Sequence, residues 1–134
     1  MQTFLPFADY QQGFNCLDDL RLRNQVCREC LTLLRGGWSN HPASKMWQGH
    51  FHELARYSIH GMIVLQKRSK CYIEVNNELF QLRNSFPNTG PPKWLGNPAF
   101  HASHRSNLLR KDKSWYGQFN WSEPDNLPYV WPVQ

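Results

Sequence analysis

The sequence predicts a mainly α, compact single domain over residues 1–134, with about three helices and long irregular, Pro-rich connections between them. Three observations predict it. Two runs, 17–37 and 41–70, repeat apolar residues near the 3.6-residue helical period. The stretch 84–98 concentrates four of the nine prolines with two glycines and then opens into a third helical run. Hydrophobic residues make up 40% of 134 positions, enough for one core and too many for a disordered chain.

The first helix is read from "LDDLRLRNQVCRECLTLLRGG". Leu17, Leu20, Cys27, Cys30, Leu31 and Leu34 form its apolar stripe, which Asn24 interrupts. Asp18 or Asp19 can accept from the free N–H groups of the first turn, and Gly36-Gly37 stop the helix. Arg21, Arg28 and Arg35 recur seven apart and so share one face. The second helix is "HPASKMWQGHFHELARYSIHGMIVLQKRSK", where Trp47, Phe51, Leu54, Ser58, Met62 and Leu65 keep the helical period and Pro42 suits the first turn.

Residues 72–83, "YIEVNNELFQLR", fit either a strand or a short helix. After the loop 84–98, Asn97 reads as a cap and Pro98 as the first residue of a third helix ending near Lys111. Ser114 to Phe119 add one turn. The end, "SEPDNLPYVWPVQ", is extended, with Tyr129 and Trp131 available to dock it to the body.

The formal charge of +5 favours a polyanionic partner, with nucleic acid ahead of an anionic membrane. No run approaches the ~20 apolar residues a membrane span requires. The start, "MQTFLPFADYQQ", lacks a basic leader and an apolar h-region, so no secretory signal is expected. Cys27 and Cys30 form a lone CxxC with no second pair, which favours buried free thiols in a reducing compartment over zinc. Cytoplasmic residence is the expectation.

The chemistry-bearing residues are few. His50 and His52, two apart, point to different helix faces; His101 and His104, three apart, could share a ligand but have no carboxylate nearby in sequence. Neither metal nor cofactor is expected. There is no GxSxG elbow and no phosphate loop. Glu29 follows Arg28 on a helix that also carries Arg21 and Arg35. A carboxylate among guanidiniums stays ionised and can stabilise a developing cation or move a proton, or it can be a plain surface ion pair. The stretch "SHRSNLLRKDKSWYGQF", 103–119, is equally two-sided: a solvated basic face, or a face built against phosphates with aromatics for exposed bases.

Five blocks, "MQTFLPF", "LDDLRLRNQ", "WSNHPASKMWQG", "FHASHRSNLLRKD" and "DNLPYVWP", together resemble the pyrimidine-dimer DNA glycosylases of the phage endonuclease V type, and they span nearly the whole chain. The resemblance implies a compact α-helical enzyme that cuts DNA at damaged pyrimidines without metal or cofactor. In that family a chain-terminal α-amine attacks the sugar C1′ and displaces the base, a glutamate of the first long helix assists, and the Schiff base permits β-elimination. An α-amine titrates near about 7.7–8.0, so a useful fraction is nucleophilic at neutral pH.

Phage-type members expose a small hydroxyl residue once Met is removed; here residue 2 is Gln, whose bulk keeps Met1 in place. The resemblance then implies Met1 as the amine, Glu29 as the carboxylate, and Arg21 and Arg28 as the phosphate clamp. Further DNA contacts fall to His41, Lys45, His101, His104, Arg105, Asn107, Arg110 and Lys111, with Trp47 or Trp115 stacking on an extruded base. The expected partner is double-stranded DNA with a lesion or abasic site, bound by a monomer. The rival expectations are a nucleic-acid-binding protein without catalysis and a histidine-dependent metallonuclease.

Overall fold

The computed structural model describes residues 1–69 and 75–132. Cys71, the end of the second predicted run at Lys70, the start of the 72–83 segment and the last two positions lie outside the described residues. Helix dominates, and no strand occurs among the described residues. In chain order the elements are α1 (Tyr10–Cys16), α2 (Asp19–Asn24), a π-helical turn (Gln25–Glu29), α3 (Cys30–Leu34), α4 (Pro42–Lys45), α5 (Phe51–Ser69), α6 (Val75–Ser85), α7 (Pro98–Lys111), α8 (Lys113–Tyr116) and a 3-10 turn (Gly117–Phe119).

Helix α1 is an element the sequence reading did not anticipate. Asp9 starts it by accepting from Gln12 N at 2.9 Å, and Phe14 buries its one large apolar side chain. The first predicted helix is present but interrupted. Asp18 caps it, accepting from Arg21 N at 3.4 Å, and the same carboxylate accepts from the Tyr116 hydroxyl at 2.5 Å. Within the π turn the Cys30 N–H donates to Gln25 O, five residues back. The inserted residue shifts the helical phase, so Leu20 is 66% exposed while Gln25 is buried at 2%. The stop falls at Gly36-Gly37 as expected: Gly36 has φ +90, and Gly37 N donates to Thr32 O at 2.9 Å.

The second predicted run is two helices. Residues 46–50 form an irregular turn with Gly49 at φ +79, which separates α4 from α5. The period survives the break because Trp47, on the turn, still packs into the core, as do Leu54, Ser58, Met62 and Leu65 on α5. Helix α5 is the central strut. A Cβ on Gly61 would fall 2.7 Å from the Phe14 ring and 2.9 Å from Val26 Cγ2, so this glycine is what lets α1 and the π turn close on α5. Helix α6 resolves the ambiguous 72–83 segment as helical from Val75 onward. Helix α7 matches its expected bounds, with Asn97 Oδ1 accepting from Ala99 N and Phe100 N.

Two extended straps cross α7. One is the N-terminal segment before α1; the other runs from Asn120 to Pro132. Ser103, Ser106 and Asn107 hold the second strap: Ser103 Oγ accepts from Val130 N (3.2 Å), Ser106 Oγ from Leu127 N (3.0 Å), and Asn107 Nδ2 donates to Leu127 O (3.0 Å). Each bond satisfies a buried or half-buried polar group, which is why a polar face of α7 can face inward.

Candidate active site

The N-terminal segment is fixed by side chains from three helices. Leu5 is wholly buried between two histidines of α7: its N–H donates to His104 Nδ1 at 2.9 Å, and its carbonyl accepts from His101 Nδ1 at 2.8 Å. The His101 ring must therefore carry its proton on Nδ1, because Nε2 accepts from Gly96 N at 2.9 Å. His104 must carry its proton on Nε2, which is buried without a partner. Both rings are neutral. Burial drives His104 down to about 3, helped by its neighbour His101. Burial also lowers His101, with the Leu5 carbonyl opposing and Arg105 assisting.

Closer to the chain start, Gln25 of the π turn donates from Nε2 to Gln2 O at 2.5 Å, while its Oε1 accepts from Phe4 N at 3.1 Å. Tyr57 donates to Phe4 O at 2.6 Å and Trp47 Nε1 donates to Thr3 Oγ1 at 3.0 Å. Gln2, Thr3, Phe4 and Leu5 are all buried, and Met1 emerges half-exposed.

Met1 emerges into a cavity of about 250 Å³. Gln2, Phe4 and Gln25 line it together with Met1, and Arg21, Asn24, Glu29, Lys111 and Tyr129 complete its walls. The π turn thus presents Gln25, which grips the segment, and Glu29, which faces the same cavity. Arg21 donates to Asp18 at 3.2 Å. Lys111 sits below the usual lysine range because burial and the charges of Arg21 and Arg110 both oppose its protonation. Burial pushes the Tyr129 hydroxyl up to about 12, against the pull of Arg110 and Arg21. Cations therefore crowd one side of the cavity, and Glu29 is its lining carboxylate. His41 lies within electrostatic reach of both residues: burial and the positive chain terminus lower its pKa, and Glu29 raises it. An amine, a carboxylate and several cations around one small cavity suit attack on a carbon next to phosphates.

Of the residues singled out from sequence, Met1, Arg21, Glu29 and Lys111 meet at this cavity, and His41 and Arg110 lie within electrostatic reach of its lining groups. Arg28 is exposed and makes no ion pair among the described residues. Others are turned inward. Trp47 is 0% exposed and packs on Trp94 and Tyr57, so it has no face left for a base. Trp115 donates from Nε1 to Cys16 O at 2.8 Å and lies beneath Arg68, away from the cavity. His101, His104 and Asn107 are buried in strap contacts. Arg105 donates to Glu123 at 2.8 and 2.5 Å and to Pro6 O at 2.7 Å. The first part of the basic stretch 103–119, Ser103 to Asn107, thus holds the straps, whereas Arg110, Lys111 and Lys113 are exposed. Lys45 is exposed and lines a separate cavity of about 640 Å³ with Lys93 and Pro132.

Gln25, Asn24 and Tyr129 were not anticipated at the site. The signal for Gln25 was available in the interrupted stripe around Asn24, where a buried amide replaces an apolar residue. Tyr129 was expected only as a docking residue. Cys16 and Cys30 are buried free thiols, and burial pushes Cys30 up to about 12. No group of His, Cys, Asp or Glu among the described residues is arranged to hold a metal ion, and no described helix is long and apolar enough to cross a membrane.

The sequence profile of a family described as pyrimidine dimer DNA glycosylase matches residues 1–82, a span that includes Met1, Arg21, Gln25, Glu29 and His41. No curated protein and no solved structure matches the chain.

Proposed function

Because the chain belongs to the pyrimidine dimer DNA glycosylase family, we propose that it releases damaged pyrimidines from duplex DNA and nicks the strand as an abasic-site lyase through the amine of Met1. The observation that carries this reading is the shared cavity: Met1 and Glu29 line it together, with Arg21 and Lys111 on its walls.

The chemistry would run in balanced steps. The neutral amine attacks C1′ of the damaged nucleotide; the N-glycosidic bond breaks and the base leaves with a proton. The sugar ring then opens to an iminium between the Met1 nitrogen and C1′. Loss of a C2′ proton and departure of the 3′ phosphate complete the β-elimination. Water finally hydrolyses the imine and frees the amine. Glu29 serves as the acid that delivers a proton to O4′ at ring opening, as the base that takes the C2′ proton, and as the counter-charge to the iminium. Arg21, Lys111, Arg110 and Arg28 receive the phosphates flanking the lesion. The buried anchoring of Thr3 and Leu5 keeps the amine in place, where an error of about an ångström would cost most of the rate.

Borohydride reduction tests the proposal, since it converts the iminium to a stable protein–DNA bond. Native protein should become linked to abasic duplex DNA, and a few residues added before Met1, or acetylation of its amine, should abolish the linkage while the fold is kept. Undiminished trapping by the extended protein would remove Met1 as nucleophile, and trapping by Lys111→Ala would then be compared. Binding of abasic DNA without any trapping would favour a protein that holds DNA and does no chemistry.

A further inference from the structure

We infer that Trp38 is a stacking platform for a nucleobase unstacked from the DNA at the candidate active site, an inference that rests on the functional reading above. Of the six tryptophans, Trp47 and Trp94 are buried and Trp115, Trp121 and Trp131 are half-buried, whereas Trp38 is 56% exposed. Its Nε1 makes no hydrogen bond among the described residues. Its one ring neighbour is His41, met edge-on with centroids 5.8 Å apart. Among the described residues no other ring packs on this indole and no cation lies over it.

The turn that carries Trp38 is specifically shaped. Gly36 has φ +90, and a Cβ on Gly37 would lie 2.8 Å from Thr32 Cγ2 and 3.0 Å from Thr32 O, so both positions require glycine. Trp38 itself has φ +58, in the left-handed region that bulky residues rarely occupy. His41 N donates to Trp38 O at 2.9 Å and closes the turn. The backbone thus holds a large aromatic outward in a conformation its own preferences oppose.

Its position connects it to the cavity. From Trp38 a row of rings runs through His41 to Trp131 (5.8 Å) and on to Tyr129 (5.4 Å), which lines the cavity with Met1 and Glu29. His41 is the ring that responds to both the chain terminus and Glu29. A damaged site is where a duplex gives up its stacking most cheaply, and an exposed indole joined to the cavity by this row of rings supplies a replacement π-face. The ligand is a planar nucleobase, either the damaged residue's neighbour or the base across from it.

The test uses full-length protein and duplexes carrying a tetrahydrofuran abasic analogue, which binds but cannot form an iminium. The fluorescent base 2-aminopurine is placed next to the analogue in one duplex and opposite it in another. Native protein should quench the 2-aminopurine in one of the two, identifying the base that stacks. Trp38→Ala should lose that quenching and bind roughly tenfold more weakly. Trp38→Phe should recover most of both and Trp38→Leu neither, which separates stacking from apolar contact. Circular dichroism of each variant verifies the fold. Unchanged affinity and fluorescence in Trp38→Ala on both duplexes would overturn the inference. Borohydride trapping on a natural abasic duplex is run alongside: its failure in native protein refutes the lyase reading, while the fluorescence arms decide on Trp38 separately.

Discussion

Gln25 Nε2 donates to the Gln2 carbonyl at 2.5 Å, so a π-helical turn and the chain's second residue are joined through one buried amide. The same side chain accepts from Phe4 N, and its Oε1 lies 3.2 Å from the Tyr57 hydroxyl, whose proton goes to Phe4 O. Replacing Gln25 by Ala leaves the buried Gln2 carbonyl and Phe4 N–H unsatisfied and should destabilise the protein by roughly 2–4 kcal/mol. Borohydride trapping should fall at least tenfold while affinity for abasic DNA stays within about threefold. Equal losses in both assays would mean that Gln25 only supports the fold.

Glu29→Gln keeps the volume of the side chain and removes its charge. Base release and nicking should fall by roughly a hundredfold or more with DNA binding retained, as measured in single-turnover assays. Full activity would return Glu29 to the role of a cavity wall.

The basic residues separate into two groups by their salt response. Lys111→Ala and Arg28→Ala should each make the slope of log affinity against log salt shallower by roughly one unit, because these cations have no carboxylate partner among the described residues. Arg105→Ala should leave the slope alone. Its guanidinium is held by Glu123 and Pro6 O, so its removal should instead lower stability by on the order of 2–3 kcal/mol. Titrations of binding at several salt concentrations, with denaturant melts beside them, distinguish the groups.

Acid should loosen the N-terminal clamp. His104 is neutral in the fold and titrates near 3, against 6.5 for an ordinary histidine. Between those values the unfolded chain binds the extra proton. Stability must therefore fall as pH drops below about 6.5, by up to roughly 1.4 kcal/mol per pH unit. Urea melts from pH 7.5 to 5 should show this slope, and His104→Gln should flatten it. A slope equal to that of native protein in this variant would assign it to other groups.

Much of the helical frame was legible from local chemistry. Asn97 and Pro98 announced α7, Gly36-Gly37 ended α3, and the apolar residues of α5 kept their period. The misses have physical causes. Helix α1 is too short and polar to show a period, and its stability comes from Phe14 meeting Gly61. The break at 46–50 preserves the helical phase of Trp47, so periodicity alone reads through it. The polar face of α7 resembles a solvent-facing one because its partners, Leu5, Leu127 and Val130, are remote in sequence. For the site, Met1 and Glu29, which both line the cavity, were legible through the family resemblance. Which cations reach the cavity was not, since Arg105 and Lys111 differ only in what folds against them.

The two straps across α7 also bear on when the cavity takes shape. Met1 and Tyr129 wall the same cavity although they stand near opposite ends of the sequence. A ribosome makes the Met1 segment well before the strap that completes the cavity. Until Leu127 and Val130 have docked on Ser106 and Ser103, the pocket lacks one wall and the cations around Tyr129 lack their final arrangement. A chain whose second strap has not docked would thus carry Met1 in a cavity that is open on the Tyr129 side. The enclosure around Met1 waits for the second strap to dock.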